Sequence, residues 1–279
     1  MNLSGATVLV TGASNGIGAG TARRLAEQGA RVVLVARDEA ALETVAGEVR
    51  ARGAAAMVHS ADLTDAQQVA ALGQQVAGSW GTPDVIVNCA GAGAFQFIEE
   101  TEPAQFVTQM AAPYLAACYT TRVFIEAMLA RGRGWVVNVN SPGSRVVWPG
   151  AIGYAGARWA LRGFSEALRA DLAGTGIGVT EAVIGKVDSS YWEKNPGSEE
   201  RVPTISRLSA PLSPDQAGAV VVRGVQAQAS EVMAPWSTRL LAMQARLTPR
   251  PLAALMIRTG ARRGRGLSAQ ADGIAEISR

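Results

Sequence analysis

Val8-Leu9-Val10-Thr11-Gly12-Ala13-Ser14-Asn15-Gly16-Ile17-Gly18 is the stretch that decides the fold. An apolar run ends at Thr11, three glycines follow at the spacing Gly-x-x-x-Gly-x-Gly, and an amphipathic pattern begins at Ile17. Strand, tight loop and helix are the predicted order. Gly12 permits the turn, Gly16 lets the backbone approach an anion, and Gly18 lets the helix pack against the sheet. The helix N-terminus then offers unpaired amides and partial positive charge to a pyrophosphate. Gly12, Ser14, Asn15, Gly16, Ile17 and Gly18 are therefore candidate nucleotide-binding residues. A glycine triplet alone is weak evidence; its place between a first strand and a helix gives it weight.

The rhythm repeats outward from this loop. Apolar runs at 6–11, 31–36, 54–60, 84–88, 135–139, 178–184 and 230–234 read as seven strands. Helical patterns at 17–28, 39–52, 65–80, 103–131, 152–173 and 214–228 lie between them. Strands alternating with helices of this length require right-handed crossovers, hence a parallel sheet covered on both faces. The predicted class is α/β: a Rossmann-type, doubly wound, parallel seven-stranded sheet with a C-terminal helical extension. Residues 1–235 read as the dinucleotide-binding domain, with a Pro- and Ser-bearing excursion at 185–212 of the kind that carries function in compact domains. Residues 236–265 read as the extension and 266–279 as a tail.

At 279 residues, with 48% hydrophobic and 18% charged residues, the chain is long and apolar enough for a large core. Its net charge of +3 is more than accounted for by seven arginines between Trp236 and Gly266. A localised basic stretch without interleaved aromatics argues against nucleic-acid binding. Cys89, Cys118 and His59 form no disulfide framework and no metal-ligand spacing. No apolar run reaches the length of a membrane span, and no leader is evident, so a cytoplasmic setting is expected.

The second strand ends Ala36-Arg37-Asp38. An acidic residue at this tip would hold the ribose 2′-hydroxyl of NAD, whereas Arg37 suits a 2′-phosphate. NADP(H) is therefore the expected cofactor, with Asp38 read as a helix N-cap. Further along, Tyr154 and Arg158 stand four residues apart, on one face of a predicted helix, and Ser141 lies thirteen residues before the tyrosine.

These motifs together resemble the short-chain dehydrogenase/reductase family, from about residue 6 to 235. Asp62-Leu63 resembles its adenine-contacting pair, and Asn88-Cys89-Ala90-Gly91 its Asn-Asn-Ala-Gly. Gly185 to Ser189, including Val187, resembles the segment bordering the nicotinamide, with Ile184 in place of its proline. The resemblance implies that Ser141 positions the substrate oxygen and Tyr154 exchanges a proton, Ser144 being a weaker candidate for the serine. It also implies a lysine that binds the nicotinamide ribose, a position held here by Arg158. The family's asparagine, which holds a relay water, maps near Pro113, and no asparagine occurs from Ala92 to Trp135. An arginine supplies charge and donors but does not release a proton at ordinary pH, so the usual proton relay has no obvious path.

Phe95, Phe97, Trp148, Tyr191 and Trp192 fall on the expected substrate edge and suggest a bulky lipophilic or aromatic small molecule. The sequence-level reading is an NADP(H)-dependent oxidoreductase interconverting a carbonyl and a secondary alcohol. A non-redox enzyme on the same fold (a cyclase, isomerase or dehydratase) and a cofactor-binding non-enzyme are the alternatives. The family implies homo-oligomers formed through the two long helices. The arginine-rich extension is read as a packed lid or dimer element, or as a peripheral contact with an anionic membrane.

Overall fold

The computed structural model describes residues 1–263. Seven strands alternate with helices: β1 (Thr7–Thr11), α1 (Gly16–Glu27), β2 (Arg31–Ala36), α2 (Glu39–Arg50), β3 (Ala56–Ser60), α3 (Ala66–Trp80) and β4 (Val85–Asn88). Then follow α4 (Pro103–Met110), α5 (Ala116–Arg131), β5 (Gly134–Asn140), α6 (Ile152–Asp171), β6 (Ile177–Ile184) and α7 (Tyr191–Lys194). The last are α8 (Pro214–Gln226), β7 (Glu231–Ala234), α9 (Trp236–Leu247) and α10 (Pro249–Thr259). The sheet order is β3-β2-β1-β4-β5-β6-β7, and every pairing is parallel. The winding reverses between β1 and β4, which opens a crevice at their carboxyl ends, where doubly wound sheets bind ligands.

Period-two alternation divides the core between the two faces. Val8 and Val10 of β1 pack with Leu25 of α1, Leu42 of α2 and Val221 of α8. Leu9, between them, faces Leu72 of α3 and Phe124 and Met128 of α5. Strands covered on both sides must be apolar on both sides, as β1, β2 and β4 are.

Three features refine the sequence reading. The helix expected over 103–131 is interrupted by a π-helical turn at Ala111–Leu115, with buried Pro113 inside it. Proline has no N–H to give and crowds the carbonyl four residues back, so the ladder widens there. Second, Gly18 does not bring the helix against the sheet: a Cβ there would lie 2.2 Å from the Gly12 carbonyl oxygen, so its role is to close the loop on itself. The close helix packing is at Gly20, where a Cβ would meet the Pro214 oxygen at 2.0 Å, and reciprocally at Gly218 against Gly20. Third, the excursion at 185–212 holds α7 and two 3₁₀ turns (Glu199–Arg201 and Thr204–Leu208), and a Val187–Leu212 bridge closes its base.

Beyond β7, Leu252 and Met256 of α10 bury against Val146, which follows the serine loop of β5. The tail expected over 266–279 lies outside the described residues. Among the described residues no helix is long and apolar enough to cross a membrane.

Candidate active site

The glycine loop is tied to the neighbouring strand end by Thr11. Its hydroxyl accepts the amides of Cys89 (2.9 Å) and Ala90 (3.1 Å). That draws the two loops so close that a Cβ on Gly12 would lie 2.9 Å from the Ala90 Cα, and Gly12 has φ +62°. Gly16, φ +53°, meets only the Ser189 side chain, at 3.4 Å or more, leaving a shallow backbone cradle where α1 begins. Ser14, Asn15 and Ile17 are half-buried along it, and the Asn15 side chain does not cap the helix.

At the adenosine end, Asp38 accepts the Ala41 amide at 3.0 Å and is thus engaged as the N-cap of α2. Arg37 is exposed, its backbone carbonyl accepting from the Ser60 hydroxyl at 2.9 Å. Asp62 folds back to accept the Thr64 amide and hydroxyl, and these two hydrogen bonds, helped by the Arg37 charge, hold its carboxyl below the usual range. Leu63 is buried in the core, so the pair presents backbone and carboxylate rather than an apolar side chain. Asn88 points away from the crevice: its amide donates to Thr121 (3.1 Å) and Asn138 (2.9 Å), strapping β4 to α5 and β5. Cys89 is buried, and desolvation pushes its thiol up to about 12, which keeps it protonated and inert.

Tyr154, Arg158 and the serine turn converge deeper in the crevice. Tyr154 is 7% exposed and Arg158 9%, on one face of α6. The Arg158 guanidinium carbon lies 5.0 Å from the Tyr154 ring centroid. A Cβ on Gly91 would lie 2.9 Å from an Arg158 guanidinium nitrogen, so glycine alone leaves room for the cation. Arg158 is turned into the crevice rather than toward water. Its single protein hydrogen bond is a long one to the Val139 carbonyl (3.4 Å), and its buried Nε has no partner. Ser141 caps the Pro142–Ser144 turn by accepting the Gly143 amide at 3.1 Å, which leaves its O–H proton to donate. Gly143 presses on the phenol edge, where a Cβ would come within 2.9 Å of Tyr154 Cε1. Ser144, the weaker candidate, is fully buried and donates to the Ser141 carbonyl at 2.7 Å.

Behind these residues runs a buried polar network that sequence reasoning missed. The Asn140 amide donates to Glu181 (2.7 Å) and to the Arg158 carbonyl (3.0 Å), while its oxygen accepts the Ser141 amide (2.9 Å). Glu181 pairs with Arg145 at 2.6 Å, both nearly fully buried, and Arg145 also binds Glu231. The available signal was a glutamate inside the otherwise apolar run of β6, which demands a buried cation.

The expected substrate edge is assembled and closed. Phe95 stacks 4.7 Å from Tyr154 and meets Trp148 at 5.6 Å and Trp192 at 6.1 Å. Tyr191 donates to the Gly93 carbonyl at 2.6 Å, and burial pushes its hydroxyl pKa well up, so it stays protonated. Phe97 sits apart, between the guanidinium groups of Arg201 and Arg263. Val187 is buried beside the excursion's base. Gly185 abuts the turn after β7, where a Cβ would lie 2.8 Å from Pro235 Cδ; that is a packing reason for glycine that the sequence did not reveal.

Residues 6–200 match the profile of the short chain dehydrogenase family. The probable oxidoreductase EphD of Mycobacterium tuberculosis is 34% identical over 184 residues; the match covers 66% of this chain and 31% of EphD. The chain thus accounts for about a third of that relative's length. The 3-dehydrosphinganine reductase of Danio rerio is 32% identical over 256 residues, covering 89% of this chain and 77% of the relative. A metagenomic short-chain oxidoreductase solved in complex with NADP superposes with a TM-score of 0.69 at 32% identity, over 84% of this chain and 97% of that one. With seven parallel strands in this order and the family profile spanning most of them, the chain belongs to the short chain dehydrogenase family.

Proposed function

We propose that the protein is an NADP(H)-dependent oxidoreductase that interconverts a carbonyl and a secondary alcohol on a bulky apolar small molecule. The observation that carries this reading is the convergence of Tyr154, the inward guanidinium of Arg158 and the donor-ready Ser141 beside the Gly12–Ala90 cradle. The residues present fit a dinucleotide. The Gly12 and Gly16 backbone would be obstructed by any larger side chain at Gly12, and the buried Arg158 Nε lacks the partner that a ribose hydroxyl would supply. Arg37 stands exposed at the β2 tip with no acidic residue capping that strand, which supports a 2′-phosphate. The NADP-bound relative is consistent with it.

When bound, the nicotinamide supplies or accepts hydride. This chain's residues handle the rest. Ser141 donates its hydroxyl proton to the substrate oxygen and fixes its position. Tyr154 holds the proton that moves to that oxygen in reduction or returns in oxidation. Among the described residues its hydroxyl has no hydrogen-bond partner, and ring contacts alone hold the side chain. Arg158 fixes charge beside the phenol and keeps it. The proton on Tyr154 therefore exchanges with solvent or substrate and not through the arginine. Phe95 and Trp148 exclude water from the phenol.

A second reading, non-redox chemistry such as dehydration or isomerisation, is favoured by that same fixed cation and by Pro113 at the relay position. NADPH absorbance during incubation with lipophilic ketones separates the two. A ketone-dependent fall, abolished by Tyr154→Phe, is expected; substrate conversion without any change in absorbance would replace the redox reading with the second.

A further inference from the structure

The described residues enclose a cavity of about 500 Å³ that does not touch Tyr154, Phe95 or Ser141. Its walls are Phe97, Ile98, Val147, Trp148, Ile152 and Trp159, and Ala155 and Gly156 of α6 line it as well. The volume falls in the range of small-molecule sites, and the lining is largely apolar, as in such sites. Ile98, Val147, Ile152 and Trp159 are 52, 53, 44 and 45% exposed, a concentration of apolar surface that a ligand would cover.

Two observations connect this cavity to the reaction centre. The space in front of Tyr154 is filled by Phe95, 4.7 Å away, so the crevice admits a reacting group but not the bulk of a molecule. Trp148 is the shared wall: it lines the cavity, and its ring centroid lies 6.3 Å from that of Tyr154. Its buried indole N–H has no partner, so turning the ring breaks no hydrogen bond. Ala151 and Ala155, on either side of Tyr154 in the chain, are also part of the lining.

We infer that this cavity holds the apolar arm of the substrate, a hydrocarbon chain attached to the carbonyl that Tyr154 serves, with Trp148 as the movable partition. This rests on the redox reading for the identity of the reacting group, but not for the cavity's capacity to bind a chain.

Gly156 offers a clean obstruction. A Cβ added there meets nothing within 4 Å, and the position is exposed on α6, so Gly156→Leu enters open space and improves helix propensity. Butanone and undecan-2-one are the probes, read by NADPH oxidation and by tryptophan emission. The expected result is a KM for undecan-2-one raised about tenfold in Gly156→Leu, with butanone unchanged within about twofold. Saturable quenching by undecan-2-one should also weaken in the variant. If Gly156→Leu fails to fold, Val147→Trp fills the same space from an exposed position. Turnover with no change in chain-length preference overturns the inference and leaves the redox reading intact. Saturable quenching lost in the variant, without turnover of either ketone, upholds the cavity and removes the redox reading. Neither turnover nor quenching overturns the inference. So does a dimer that Gly156→Leu converts to monomer, since the cavity would then be a face between copies.

Discussion

Arg158 concentrates the chemistry that distinguishes this site, because one side chain must serve as ribose donor and as fixed charge beside the phenol. Arg158→Met is expected to lower kcat/KM for a ketone by about a hundredfold, the scale of lost charge-assisted hydrogen bonds, whereas Arg158→Lys should stay within about tenfold. Steady-state NADPH oxidation checks both. Arg37 decides a different question. Its guanidinium faces solvent at the β2 tip, and Arg37→Ala should weaken NADPH binding by about tenfold or more while leaving NADH within about twofold. Paired titrations of cofactor fluorescence measure this. Equal losses for the two cofactors would show that Arg37 does not meet the 2′-phosphate.

Among elements, the strands and the glycine loop were legible because period-two apolar runs bounded by glycines have few other readings. The interruption of α4 and α5 was legible only in part: Pro113 announced a disturbance, but its form, a π-helical turn rather than a break, depends on buried neighbours on either side. The Asn140–Glu181–Arg145 network was not legible, since its members are separated by up to 41 positions and meet only when β5 and β6 pair. Each polar group of the Asn140 amide has a partner. Glu181→Leu should therefore strand Arg145 and cost about 3–5 kcal/mol by chemical denaturation, as breaking a buried pair does. Gly218→Val should also destabilise, by about 1–3 kcal/mol or more, because α1 and α8 have no room for a side chain where they cross.

On the scale of the whole molecule, the C-terminal helices were legible as amphipathic, but the surface they cover was not. Leu252 and Met256 pack on Val146, Arg263 bonds Glu99 at 2.6 Å, and Arg201 bonds the adjacent Glu100. Hydrogen bonds from these arginines hold both glutamate carboxyls below their ordinary range. For carboxylates depressed by folding, the stabilisation is present above the unfolded pKa and is lost as pH falls through the lower folded value. The pairs are partly exposed, so the effect is small. Between about pH 5 and pH 3.5, Glu100→Gln should lose less melting temperature than the unmodified protein, measured by circular dichroism. An equal loss would mean that this latch contributes nothing measurable.

The glycine-to-glycine crossing of Gly20 with Gly218 joins the first helix to one of the last. During translation, the N-terminal nucleotide loop would therefore emerge long before its supporting helix, exposing one flank of α1 until Pro214–Gln226 leaves the ribosome. Nascent chains arrested short of that segment should bind no dinucleotide, although every residue of the loop itself has already been made.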